Sequence, residues 1–225
     1  MNTKKLILAL SLCLFMTVAL LVYDSGLLSS FSQEDLYGSW LTDVPAAEQV
    51  EHSLADFGIT YDIPDDLAMT YEFRYAEDGT VTVCVESGSA KELAAVQVEA
   101  LRTGLPEMLY KQYETEANMD RTATDAMLES QGLTMETLVE MALAQIDFEA
   151  QYTSAAMTVT QYYCVDDGRI CYAAAPMDLV TGSYDMTVEP EHKGDTLVLS
   201  NAMDKDGNPF AGNGVIKYPL TLRRK

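Results

Sequence analysis

Apolar and polar residues alternate strictly through A-M-T-Y-E-F-R-Y, where Met69, Tyr71, Phe73 and Tyr75 share one face and Ala68, Thr70, Glu72 and Arg74 the other. A period of two over this length predicts a half-buried strand. The pattern resumes in T-V-T-V-C-V-E after the turn E-D-G-T. Asp-Gly between two alternating runs is a strong hairpin signal. A second Asp-Gly hairpin is predicted from M-T-V-T-Q-Y-Y-C-V, turn D-D-G, then R-I-C-Y-A-A-A. S-Y-D-M-T-V-E follows, with Tyr184, Met186 and Val188 on one face, then D-T-L-V-L-S, the turn D-K-D-G-N-P, and V-I-K-Y-P-L-T-L-R-R. With the segment around Trp40, this makes eight predicted strands.

The period lengthens in two places. P-A-A-E-Q-V-E-H-S-L-A-D-F reads as a helix opened by Pro45 and closed by Gly58, with Val50, Leu54 and Phe57 on one side. A larger helical block is predicted over 89–152, opened by the capping spacing Ser89 to Glu92. Gly104 and Pro106 should kink or break its first helix. A second helix runs from near Thr122 to Gly132, and a third from Thr134 through T-L-V-E-M-A-L-A-Q-I-D-F, where Leu138, Met141, Ile146 and Phe148 require burial. The chain therefore reads as mainly β with an α insertion, an α+β arrangement whose strands occupy 37–88 and 153–225.

The amino terminus differs again. M-N-T-K-K precedes an uncharged apolar run from Leu6 to Tyr23, the pattern of an export signal or an N-terminal membrane helix. The run is long for a signal and lacks a clean small-x-small site. Leu12 before Cys13 argues against a lipid-modified cysteine. Residues 24–36 are polar and Ser-rich and read as a linker. The rest of the chain is then expected outside the cytoplasm, secreted or anchored to the membrane. Its charge of −21 becomes −23 once Lys4 and Lys5 go with the leader. Such a surface repels nucleic acid and anionic headgroups.

Gly38-x-Trp40, the eight successive strands and a basic residue closing the last strand together resemble the lipocalin, or calycin, family. The short exported lipocalin-like domains of bacterial cell surfaces are the nearest in character. The resemblance implies an eight-stranded antiparallel up-and-down barrel, with the helical insertion between strands 3 and 4 as a departure. It implies that Trp40 packs under the barrel, crossed by Arg224, or by Arg223 if the register shifts. Pro219 within the last strand removes a ladder donor and argues for a bulge or an imperfect seam. The inward faces would carry Met69, Tyr71, Phe73, Tyr184, Met186 and Leu199. Side chains of this bulk tend to fill so narrow a barrel; where they leave a hollow, it suits a small hydrophobic or amphipathic molecule.

Little catalytic chemistry is written in the chain. Cys164 and Cys171 flank the Asp167-Gly168 turn and would face each other across a two-residue loop. That register admits a disulfide, or simply two core thiols, and Cys84 reads as a small buried residue. His52 and His192 have no metal-ligand spacing. Asp204-Lys205-Asp206-Gly207-Asn208 lacks the glycine and distal glutamate positions of an EF-type calcium loop and reads as a turn. No nucleophile elbow, zinc-protease or phosphate-loop motif occurs. No catalytic residue, metal or cofactor is expected. The sequence points to a non-enzymatic module binding a small apolar ligand or a surface protein partner. An export-side chaperone or peptide-binding module working through the helical block is the alternative. A hydrolase built from dispersed acids, or from Cys84 and a histidine, is a third.

Overall fold

Both Asp-Gly turns form as the sequence predicts, and they set the meander. At the second, Asp167 and Gly168 take φ of 47° and 73°, the left-handed pair that joins twisted strands over two residues. The structure, a computed structural model, describes residues 31–212 and 216–225. Its strands are β1 (Gly38–Pro45), β2 (Ala68–Tyr75), β3 (Thr80–Val85), β4 (Val159–Asp166), β5 (Arg169–Ala173), β6 (Met186–Lys193), β7 (Thr196–Asp204) and β8 (Leu220–Arg224). Each pairs antiparallel with the next, and β8 returns to β1, so the eight close into a barrel. An extra residue in β7 near Asn201, itself at φ 46°, shifts the β6–β7 register and reverses which residues of β7 point inward.

The two ends of the barrel differ. At one, a 3-10 turn (Gln33–Leu36) passes beneath the strands and delivers a fully buried Leu36 beside a fully buried Trp40. Ile170, Val188, Leu197, Leu199 and Leu222 fill the barrel above them. The stretch read as a linker to residue 36 thus ends inside the fold, because Leu36 plugs the base. At the other end lie the connections β1–β2, β3–β4, β5–β6 and β7–β8, which carry all the longer insertions.

Those insertions hold helices α1 (Ala47–Ala55), α2 (Ser87–Ala117), α3 (Arg121–Ser130), α4 (Met135–Leu143), α5 (Phe148–Thr153) and α6 (Pro176–Thr181). Helix α2 is locked to the barrel edge at its first turn. The Thr70 N–H donates to Ser89 Oγ at 2.9 Å, and Ser89 Oγ donates to the Ala68 carbonyl at 3.3 Å. Glu86 caps the helix by accepting from the Gly88 and Ser89 amides. Buried residues of α2, α4 and α5, among them Leu93, Val139 and Phe148, belong to the same apolar cluster as the barrel interior. The helical block is therefore continuous with the barrel core.

Several local expectations change. Pro45 ends β1 instead of opening α1, and Phe57 is exposed past the helix end. Gly104 and Pro106 do not break α2, which runs 31 residues. The helix continues because Gly104 lets Ile59 of the β1–β2 connection lie directly on its backbone. A Cβ at Gly104 would fall inside contact distance of Ile59 Cγ2. The predicted third helix divides into α4 and α5; Val139, Leu143 and Phe148 take the buried positions, and Met141 and Ile146 face solvent. Pro219 stands just before β8, so the last strand is shorter than predicted, and β8 pairs with β1 to close the seam. The N-terminal membrane-helix expectation lies outside the described residues. Among those described, no helix is long and apolar enough to cross a membrane.

The Gly104 contact is testable. Gly104→Ala should improve intrinsic helix propensity by about 1 kcal/mol, yet overpacking typically costs about 1–3 kcal/mol. A net loss of about 1 kcal/mol is expected by urea denaturation. Pairing it with Ile59→Val should recover part of the loss, and stabilisation by the single change would contradict the packing described.

Candidate functional site

Above the packed base, the interior opens into a cavity of about 360 Å3 at the helical end. Its walls come from Phe73 of β2, Val81 and Val83 of β3, Val159 and Gln161 of β4, Tyr172 of β5 and Met186 of β6. The register explains the set: Phe73 pairs with Val83, Val83 with Val159, Val81 with Gln161, and Tyr172 with Met186, so these side chains share the inner face. On one side of the mouth, the described parts of the β7–β8 connection add Phe210, Ile216 and Tyr218. Its backbone is tied down by the Phe210 N–H to the Ala202 carbonyl at 2.7 Å and the Tyr218 N–H to the Ala211 carbonyl at 3.1 Å.

Below the cavity, Tyr172 of its wall is backed by two further tyrosines. The Tyr75 and Tyr172 hydroxyls share a 2.6 Å hydrogen bond, and the Tyr75 and Tyr163 rings meet edge to face at 4.9 Å. The Tyr163 hydroxyl donates to the Ala76 carbonyl at 2.8 Å. Burial raises the phenol pKa of Tyr75 and Tyr172 and pushes Tyr163 up to about 12. Burial does the same to Tyr218, also to about 12. All four keep their protons and act as neutral hydroxyl groups near pH 7.

Of the residues predicted to line a hollow, Phe73 and Met186 face this cavity. Met69 and Tyr71 are buried higher on β2, and Leu199 is packed in the filled base. Tyr184 departs from its predicted alignment with Met186. It precedes β6, lies outside the barrel, and its hydroxyl donates to the Asp166 carboxylate at 2.8 Å, which raises its pKa. Sequence reasoning missed Val81, Val83, Val159, Gln161, Tyr172, Asp185, Asp204, Phe210, Ile216 and Tyr218. Alternation within β3, β4 and β5 could have supplied the first five. Asp204 ends β7 past the bulge that reverses its face, and the others come from chain reversals, which carry no period.

No family model, curated protein or solved structure matches this chain. The site is therefore read from its own geometry. At the base, the Trp40 Nε1–H donates to the Leu36 carbonyl at 2.7 Å, and the Arg224 guanidinium stands 5.2 Å over the indole while donating to the Tyr37 carbonyl at 2.8 Å. The His192 ring meets the indole edge to face at 5.8 Å. These contacts seal the end opposite the cavity.

Cys164 and Cys171 do sit directly across from one another, as the two-residue loop requires, but both are free thiols. They face outward, and α6 packs over that side of β4 and β5. Cys84 is likewise free and half-buried. Burial raises the Cys164 thiol and pushes Cys171 up to about 12. Such a thiol holds almost no thiolate at neutral pH and is a poor nucleophile. Brief iodoacetamide treatment of the folded chain is expected to modify Cys84 before Cys171, with full modification of Cys171 only after denaturation. Peptide mass spectrometry reads this directly, and equal labelling of the two in the native state would contradict the burial.

Proposed function

We propose that this chain is an exported lipocalin-like binding protein, held at the membrane or released by its leader, that takes a small amphipathic molecule into the open end of its barrel. The cavity of about 360 Å3 carries the reading, since it falls in the size range of small-molecule sites and combines an apolar wall with a few polar groups. The closed up-and-down barrel, Trp40 buried at its base and Arg224 over the indole support the lipocalin-like part. The charge-free apolar run behind two lysines supports export.

In this mechanism the tail enters past Phe210 and Tyr218 and lies against Val81, Val83 and Met186. The Tyr75–Tyr172 pair spends one hydroxyl proton on itself, so a polar atom reaching the floor would meet a neutral hydroxyl donor. Helix α2 packs against β2 at this end of the barrel, and the hydrogen-bonded Tyr75–Tyr172 pair limits the depth of entry.

Nile red, an uncharged probe, tests the reading. Its fluorescence should rise on mixing with the purified chain. Met186→Trp, which fills the cavity, should abolish the rise, and Val180→Trp on the exposed face of α6 should leave it intact. An undiminished signal from the Met186 variant would sink the proposal.

A further inference from the structure

We infer that the cavity selects amphiphiles with a positively charged head, of the alkylammonium class. This rests on the cavity being a binding site and concerns which ligand it takes. Two carboxylates line its mouth, Asp185 and Asp204, and no lysine, arginine or histidine lines it among the described residues. Both acids are fixed in place. Asp185 Oδ2 accepts from the Ala174 N–H at 2.7 Å, and the Asp185 N–H donates to the Tyr172 carbonyl at 2.8 Å. Asp204 Oδ1 accepts from the Asp206 and Asn208 amides at 2.9 and 2.8 Å. Each carboxylate has further lone pairs, and an ammonium group offers donors and no acceptor, the complement such oxygens need.

The aromatic rim agrees with a cationic head. The Phe210 and Tyr218 rings pack on each other, 6.1 Å apart and inclined at 54°, and give the cavity wall aromatic surface whose faces attract a cation. An anionic head would meet two carboxylates with no counter-cation lining the cavity. A chain carrying net charge −21 would oppose its approach as well. The apolar walls below provide for the tail. A matched head-and-tail ligand thus places its charge at the mouth and its methylenes beside Val81, Val83 and Met186.

Octylammonium, octanol and octanoate share one tail and differ in head charge, so they separate tail binding from head selection. Calorimetry on the purified chain at physiological salt, below the micelle-forming concentration of each, gives three affinities. Octylammonium is expected to bind roughly tenfold tighter than octanol, the worth of one hydrogen bond to a charged group, with octanoate weakest. Asp185→Asn keeps an acceptor for the Ala174 amide and should bring octylammonium close to octanol while leaving octanol unchanged. Asp204→Asn should act in the same direction. Glu51→Gln on α1, away from the cavity, should change nothing. Octanol and octylammonium binding alike in the native chain would overturn the charge selection and leave the cavity reading standing. A preference that survives both aspartate variants would also overturn it, because the whole-molecule charge would then be its source. Failure of all three probes to bind would remove the cavity reading together with this one.

Discussion

Trp40→Ala is expected to destabilise the chain by about 3–5 kcal/mol, a large share of the about 5–15 kcal/mol that holds a domain together. The indole is fully buried where β1 leaves the 3-10 turn, and three things depend on it. It fills the base of the barrel beside Leu36. Its N–H satisfies the Leu36 carbonyl at 2.7 Å, and its face receives Arg224 from the final strand. Removing the ring empties the base and unties the turn from the first strand. It also takes away a contact across the β1–β8 seam, where the register pairs Trp40 with Arg224. A fall in the thermal midpoint of about 10 °C follows for a domain of this size. Trp40→Phe keeps an apolar ring and loses the donor and part of the volume, so it should fall by less. Calorimetric scans of the three proteins check this, and a loss under 1 °C for the alanine variant would show that the base is sealed without the indole.

Glu72 carries the second large expectation. It lies on the outer face of β2, yet its side chain is only 4% exposed. Arg74 Nη2 donates to its Oε2 at 2.7 Å, and Lys225 Nζ stands 3.4 Å from the same oxygen. The Arg74 hydrogen bond, helped by Ser39 and by the charges of Arg74 and Lys225, outweighs the opposing effect of burial and holds the carboxyl at about 2, against 4.5 when free. A folded value below the unfolded one makes the ionised group stabilising above about 4.5, with that stability lost as the pH falls toward 2. Glu72→Gln should therefore cost about 2 kcal/mol at neutral pH, the worth of hydrogen bonds to a charged group. The gap between the two proteins should close as the pH falls through this window. Urea midpoints taken at several pH values measure it, and a gap that stays constant down to pH 2 would mean that the carboxylate's charge is not what matters.

The strand expectations hold where side-chain alternation is strict and an Asp-Gly turn fixes the neighbours. Met69 to Tyr75, Val81 to Val85 and the Cys164–Cys171 register are of this kind. They fail where local chemistry was asked to stand in for packing. Pro106 and Gly104 carry poor helix propensity, and α2 passes through both because Ile59 seats on the glycine. Ile146 looked like a core residue by composition and is exposed; Val139, nearby on the same block, is fully buried. Tyr184 was aligned with Met186 by period alone. Its segment is held instead by α6 and by the Asp166 carboxylate, outside the sheet.

The candidate site divides in the same way. Phe73 and Met186 are legible from alternation because a strand fixes which face each residue takes. Asp185, Phe210 and Tyr218 come from chain reversals, which carry no period and are steered by contacts with distant strands, and Asp204 ends β7 past the bulge that reverses its face. By itself the sequence determined the number of strands, their antiparallel order, the register of the Cys164–Cys171 hairpin and the place of the helical insertion, since these follow from spacings of two and from turn residues that tolerate positive φ. Only the tertiary structure decided that the barrel is packed at the base and hollow at the mouth. That outcome depends on how eight inner faces close on one another, on a one-residue bulge near Asn201 that reverses β7, and on a 3-10 turn plugging one end alone.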